Sequence, residues 1–523
     1  MTARPSPTRV VPDRVVVVGG GIAGLSTALY LAPLPTTVLS STPLLTGSST
    51  GWAQGGIAAA LGEDDTPALH AADTLLAGAG LSDPDVAARV AAVAPARIDD
   101  LLGWGVAFDR NANGSLALGL EAAHCRSRIV HAGGDATGRA VLEALVAAAR
   151  STPSIELHEN VDATDIVLDD DGHAAGVLVG SKDATAVLPA RGVVLATGGI
   201  GGLYAATTNP LGAVGSGVAM AARAGAILRH LEFVQFHPTA LTLGLDPMPL
   251  ASEAIRGEGA VLIDDRGERF LADVSGAELA PRDVVAQAVW AKIAAGRRVY
   301  LDARTALGAD FAARFPQAAA ACRTAGLDPA SQPIPVAPAA HYHMGGIAVD
   351  GRGRSSLRGL WAGGEVAATG LHGANRLASN SLIEALAFAG WIADDLSGCE
   401  GSRAPVRLTR PRPRELGRDG PRLTAELRRL MTKAVGVARE ARSLRQAIAR
   451  LASLRSDRAL VGLLVAVAAL RREASQGAHY RSDAPRSEEG RPDPHEGWRH
   501  DGELTLAEAL DATQALEPER ACS

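Results

Sequence analysis

The chain is 523 residues long, with 47% hydrophobic and 21% charged residues and a formal net charge of −6, which predicts a globular protein of two to four domains. That charge balance, with no long basic run, excludes nucleic acid as the main partner. No apolar stretch approaches the roughly 20 residues that cross a bilayer, so no membrane anchor is expected. The four cysteines (Cys125, Cys322, Cys399, Cys522) are scattered without a Cys-x-x-Cys pair, so no metal is expected and a reducing, cytoplasmic compartment is.

In chain order, the first element is a strand at Val15–Val18, whose four valines also rule out reading this apolar run as a signal peptide. It breaks at Gly19-x-Gly21-x-x-Gly24 and continues as an apolar helix. This is the strand–turn–helix setting of a dinucleotide fingerprint: Gly19 for the tight turn, Gly21 for close approach to a pyrophosphate, Gly24 for helix–sheet packing. A second strand, Thr37 to Leu39, ends near Ser40-Ser41-Thr42, where hydroxyls replace the usual ribose-binding acid. The loop from Thr46 to Ala59 is crowded with hydroxyls and glycines, fit either for a ligand or for an ordinary surface loop.

A helical region follows, then a buried strand at Val193–Leu195 running into a second glycine turn at Gly198. Strands ending at Gly19 and Gly198 predict one sheet interrupted by insertions. From Glu232 the texture changes to loops with His and Pro, helical pieces and a charged hairpin over Ile263–Phe270; near Tyr342 the glycine-rich style returns, with a strand ending on Glu365. A domain inserted between two parts of a nucleotide-binding domain explains the alternation.

Gly370 to Leu382 leads into another helix. Ser381 and Glu384 have capping-box spacing, which predicts a start near Leu382. His372 and Arg376 make the approaching loop cationic, and such a loop on a helix N-terminus suits an anion, a dicarboxylate or a reduced ring. Past Ser402 the Pro- and Arg-rich stretch reads as a linker. Leu444, Ile448 and Leu451, then Leu460, Leu464, Val467 and Leu470, repeat at helical spacing, and the polar tail after Gly477 reads as loop.

Together, Ala53–Ile57, His124 to Gly138, Ala196–Gly199, Glu232–Thr239, Glu253–Gly259, Pro281–Asp283, His341–Gly346, Gly364–Glu365, Gly370–Leu382 and Gly477–Pro485 resemble the flavoprotein subunits of succinate dehydrogenase and fumarate reductase, and within that group the L-aspartate oxidases. The resemblance covers essentially the whole chain, in order. It implies an α/β fold: a Rossmann-like FAD-binding domain in two parts (1–233 and 342–404), an inserted α+β capping domain (234–341) and a C-terminal three-helix domain (405–523).

By the same resemblance, FAD contacts come from Gly19, Gly20, Gly21, Ile22, Ala23 and Gly24, from Ser41, from Ser49, Thr50, Gly51, Trp52, Ala53, Gln54, Gly55 and Gly56, and from Glu365, Ser381 and Leu382. Ser49 stands where the dehydrogenases carry a flavin-linking His, so noncovalent FAD is implied. Gly215-Ser216-Gly217 departs from the relatives' Gly-Asp-Gly, which argues against a flavin contact there.

Glu121 matches the acid that holds a substrate ammonium; read alone, it is a solvated surface residue. His237, His341 and Arg376 match carboxylate-binding positions, with Ser252 and Glu253 nearby, although a lone His more often bonds backbone and Arg376 equally suits an FAD phosphate. Arg282 matches the proton-transfer residue, with Glu253 and Arg256 as a relay. Since arginine is almost never deprotonated, Arg282 is either that base or a carboxylate ligand. The implied activity is FAD-dependent oxidation of L-aspartate to iminoaspartate, with flavin reoxidised by O2 or fumarate, at the first step of NAD biosynthesis by way of quinolinate. Quinolinate synthase is the implied partner, and a soluble fumarate reductase or succinate dehydrogenase subunit is the alternative.

Overall fold

Val15–Val18 is a strand because four consecutive β-branched residues suit a pleated surface covered on both faces; none of the four is more than 6% exposed. In the computed structural model, which describes residues 9–10, 12–180, 185–398, 406–409, 419–484 and 502–515, this strand is central to a five-stranded parallel sheet. The strands lie in the order Leu360–Ala362, Gly192–Leu195, Val15–Val18, Thr36–Ser40 and Ile155–Glu159. Segments far apart in the chain thus share one sheet.

Two close approaches shape its carboxyl edge. Gly19 has φ +124°, and a Cβ there would stand 2.1 Å from the Ala196 carbonyl oxygen. Only glycine fits that conformation and that gap. A Cβ on Gly24 would stand 1.9 Å from the Gly19 oxygen, so helix Ile22–Leu31 sits directly on the turn that feeds it. Helix Asn380–Gly398 packs along that helix.

A second, antiparallel sheet orders Val234–Leu241, Ile334–His343, Val299–Asp302 and Val261–Asp264. Helix Arg282–Ala294 covers it, and Leu262, Val289, Leu301, Phe311 and Ile334 build a core of their own. The Val234–Leu241 strand pairs with Ile334–His343 through two register irregularities, at Gln235/Phe236 and His237/Ala240. Such bulges bend a strand and re-aim its side chains.

Toward the C-terminus, helices Pro421–Ala434, Ala441–Ala452 and Asp457–Arg471 pack on one another. The loop reading of the tail needs correction. Tyr480–Arg481 and Glu503–Leu504 are short strands and Leu506–Ala515 is a helix. Their polar composition hid two anchors, Leu504 and Ala509, at most 1% exposed against the main core. Of the linker after Ser402 only strand Val406–Thr409 and the last residues before helix Pro421–Ala434 are described; Cys399, Cys522 and the tail over 485–501 lie outside the described residues. Among the described residues no helix is long and apolar enough to cross a membrane.

Candidate active site

A cavity of about 1470 Å³ opens at the carboxyl edge of the parallel sheet and reaches the inner end of the antiparallel one. One part of its wall is glycine and hydroxyl: Gly19 to Ala23, Ser41, Ser49 to Gly56, Ser381 and Leu382, with the acid Glu365. Another is charged: Glu121, His237, Ser252, Glu253, Arg282, His341 and Arg376 all line the same cavity. Gly24, Arg256 and His372 are off the wall, Gly24 for the packing reason above. Ser216, where the departure from the family argued against a contact, is on it.

The glycine wall fits a flavin dinucleotide. Helix Ile22–Leu31 begins at Gly21 without a cap from the Gly21 position itself, and its positive end lies at the cavity wall, the arrangement that binds a pyrophosphate. Thr50 locks the serine-rich loop onto this helix by accepting from the Ile22 N–H at 3.1 Å. Ser48 in turn caps the short turn Ser49–Trp52 through the Thr50 N–H. A Cβ on Gly21 would meet Ser48 Oγ at 3.1 Å and Thr50 Oγ1 at 3.2 Å, so a side chain there would crowd that loop.

The charged wall is assembled from six segments. Arg282 opens helix Arg282–Ala294 with no side-chain cap; it donates from Nη1 to Gln235 Oε1 and from Nη2 to Glu253 Oε2, both at 2.9 Å. Glu253 opens helix Glu253–Gly257 after Ser252 and accepts from Arg256 Nη2 at 3.1 Å. Arg376 donates to Gln235 Oε1 and to Ser381 Oγ, each at 3.2 Å. Gln235, fully buried on its strand, therefore touches both arginines, and its amide donates to Asn375 Oδ1 and the Arg376 carbonyl at 2.9 Å.

The two histidines face each other with ring centroids 5.1 Å apart. His237 Nδ1 accepts from the Thr239 N–H at 3.3 Å, which puts the ring proton on Nε2, a buried donor with no protein partner among the described residues. His341 is held by Thr208, Nδ1 to Oγ1 at 2.8 Å. Glu121 is set opposite by Ser379, whose hydroxyl donates to Oε2 at 2.6 Å, and His124 fixes the same loop by bonding the Ala378 carbonyl at 2.9 Å.

Burial decides the charge states. It pushes both His237 and His341 well below the ordinary histidine range, and Arg282 close by adds to the effect, so both rings are neutral. It lowers Arg376 to about 10, with Arg282 again contributing, still cationic at neutral pH. For Glu253 burial acts upward, but Arg282 and Arg256 outweigh it and hold the carboxyl at about 2. Burial raises Glu365 to about 7 against the His343 N–H bond. Arg256 and Arg282 thus bond one carboxylate, Glu253, and the buried Arg376 lies near enough to lower it further. Against Glu253 and Glu121, the two carboxylates of the charged wall, the three guanidiniums leave one formal positive charge, and a buried surplus calls for an anionic ligand.

Residues 14–382 match the model of the FAD binding domain family. Across 90% of its length the chain is 55% identical to the L-aspartate oxidase of Mesorhizobium japonicum and covers 91% of that protein. It is 51% identical to the L-aspartate oxidase of Agrobacterium fabrum, again over 90% of this chain and 91% of that one. The chain belongs to the L-aspartate oxidase family. Among solved structures it is similar to Escherichia coli quinol fumarate reductase FrdA carrying a point mutation, with TM-score 0.83 and 28% identity over 92% of this chain and 93% of that one. The fold is that of the FAD-binding flavoproteins of the fumarate reductase group.

For a member of this family, the loop before helix Asn380–Gly398 differs from the reading of it as a cationic cap. The helix starts at Asn380, so Ser381 lies in its first turn and accepts from Arg376. Glu384 points inward and accepts from Tyr342, Thr369 and His372. His372 is therefore tied to Glu384, and Arg376 is the cation that reaches the cavity. Gln235, Tyr342, Ser379 and Asn375 were not singled out. Each is polar or aromatic inside an apolar or glycine-rich motif, and that oddity is the signal that marks them.

Proposed function

We propose that this chain oxidises L-aspartate at Cα to iminoaspartate, using a noncovalent FAD held by the glycine wall. The surplus of buried positive charge at Arg256, Arg282 and Arg376 around Glu253 carries this reading. Arg376, Arg282 and the Nε2–H donor of neutral His237, with His341 beside it, receive the two substrate carboxylates; planar guanidiniums suit them bidentately. Ser252 stands at the same wall. Glu121, aimed by Ser379, accepts from the substrate ammonium, which a simple dicarboxylate lacks. Holding both ends of so short a molecule fixes its Cα–H direction, a positioning effect. FAD, when bound, would supply the acceptor for the Cα hydride, which carries both electrons, while the amine gives up a proton.

Arg282 is a carboxylate ligand in this scheme for aspartate, and its bond to Glu253 and onward to Arg256 gives a route for a proton where a carbon must be protonated, as in fumarate reduction. O2 and fumarate are the proposed acceptors, quinolinate synthase the consumer of iminoaspartate in NAD biosynthesis, and the cytoplasm the site. The separate core of the antiparallel sheet supports a division into an FAD-binding domain (1–233 and 342–404), a capping domain (234–341) and a C-terminal helical domain (405–523). A substrate panel tests the proposal. L-aspartate should turn over, succinate should compete with it, and fumarate should be reduced; turnover of succinate without aspartate would instead identify a dicarboxylate dehydrogenase subunit.

A further inference from the structure

Glu384, on the second turn of helix Asn380–Gly398, is 1% exposed. Its carboxylate is bonded by three residues from two separate segments. Oε2 accepts from the Tyr342 hydroxyl at 2.8 Å and from His372 Nε2 at 2.9 Å, and Oε1 accepts from Thr369 Oγ1 at 2.5 Å. His372 also meets the Tyr342 ring edge-on, centroids 5.1 Å apart and planes at 89°. A buried carboxylate is costly to keep and is tolerated only where its lone pairs are filled. An apolar residue would pack this helix more cheaply, so the three bonds call for a purpose.

The purpose lies one residue further on. The Arg376 guanidinium rests over the Tyr342 ring, Cζ 4.7 Å from the centroid. Its other two side-chain bonds, to Gln235 and Ser381, are both 3.2 Å, at the long end of the range for N–H donors. A planar guanidinium stacks on an aromatic face, and that face sets its orientation. Tyr342 and Arg376 line the cavity, whereas Glu384 stands behind Tyr342.

We infer that Glu384 is a positioning residue for Arg376: by holding the Tyr342 hydroxyl it fixes the ring on which the guanidinium rests, and so sets the angle at which Arg376 meets a carboxylate. The chain of contact runs from Thr369 and His372 through Glu384 and Tyr342 to Arg376. It rests on the reading of Arg376 as a carboxylate ligand, and the test separates the two.

Succinate binding to the FAD-loaded protein is measured by calorimetry, beside kcat and KM for aspartate and the melting temperature. Tyr342→Phe keeps the ring and deletes the bond to Glu384; Glu384→Gln keeps the shape and deletes the charge. Each should weaken succinate about 10-fold, the loss of one hydrogen bond to a charged group, and raise KM more than it lowers kcat. Combined with Arg376→Leu, Tyr342→Phe should weaken succinate no further than Arg376→Leu alone, because the two changes break one device. Wild-type succinate affinity in Tyr342→Phe, with only a lowered melting temperature, would make the cluster purely structural and overturn the inference. Full additivity in the double variant would overturn it as well. Unchanged succinate binding in Arg376→Leu itself would remove Arg376 as a ligand, and the inference would fall with that reading. Should Glu384→Gln fail to fold, Tyr342→Phe decides alone.

Discussion

Glu121 and Arg282 bring opposite charges to the same cavity wall, and removing each should separate two reactions. Glu121 is the proposed partner of the ammonium that aspartate has and fumarate lacks. Glu121→Ala should raise KM for aspartate while fumarate reduction stays near wild type; steady-state kinetics of both reactions would show it, and a parallel fall in both would make Glu121 structural. Arg282→Leu should abolish fumarate reduction and leave a reduced aspartate oxidation, since an amine proton can leave to water. Loss of one placed charge costs about 2–4 kcal/mol, some 30- to 1000-fold in rate. Wild-type rates in both reactions would remove Arg282 from the chemistry, and a raised KM with kcat kept would make it a ligand only. At this scale the residues legible in the sequence were those inside contiguous motifs. Gln235, which touches both Arg282 and Arg376, was not, because its role depends on partners 47 and 141 positions away.

Helix Ile22–Leu31 and the turn before it form the element proposed to hold the cofactor's pyrophosphate. Gly24→Ala would push a methyl group to within about 1.9 Å of the Gly19 carbonyl oxygen, separating helix from strand and displacing the Gly21 end of the helix. The purified variant should contain little or no FAD, read as the ratio of flavin absorbance to protein absorbance; full flavin content would show that the turn has room to relax. This element was legible because a β-branched run, three glycines and an apolar helix follow one another without interruption. The helix after Arg376 was legible as a helix but not in its details. Ser381 and Glu384 have the spacing of a capping box, and spacing alone cannot show that Glu384 has three partners deeper in the fold. Helix Leu506–Ala515 was missed for a related reason: its stabilisation is tertiary, through Ala509 and the neighbouring Leu504, and short polar segments carry no period that reveals it.

Across the whole molecule, buried neutral histidines set the response to acid. Burial lowers His70 and His343 to about 4 and His479 to about 2, and His237 and His341 fall well below the ordinary value. The unfolded chain protonates these groups below its ordinary histidine value of about 6.5 and the folded chain does not. Stability is therefore fully present above that pH and lost as pH falls below it, by about 1.4 kcal/mol per pH unit for each histidine. Glu365, raised to about 7, acts the other way with a single proton, and Glu253, held at about 2, adds a further loss below about 4.5. The melting temperature of the flavin-loaded protein should thus fall steadily from pH 7 to pH 5; a flat profile would mean that these histidines are charged in the fold. The central claim, that one cavity joins a flavin to an aspartate-binding cluster of cations, is tested most directly by the visible absorbance of the purified protein under anaerobic conditions. L-Aspartate should bleach the flavin band and fumarate should restore it, with all the colour released into the supernatant by acid. A flavin band that L-aspartate leaves unchanged would contradict the claim.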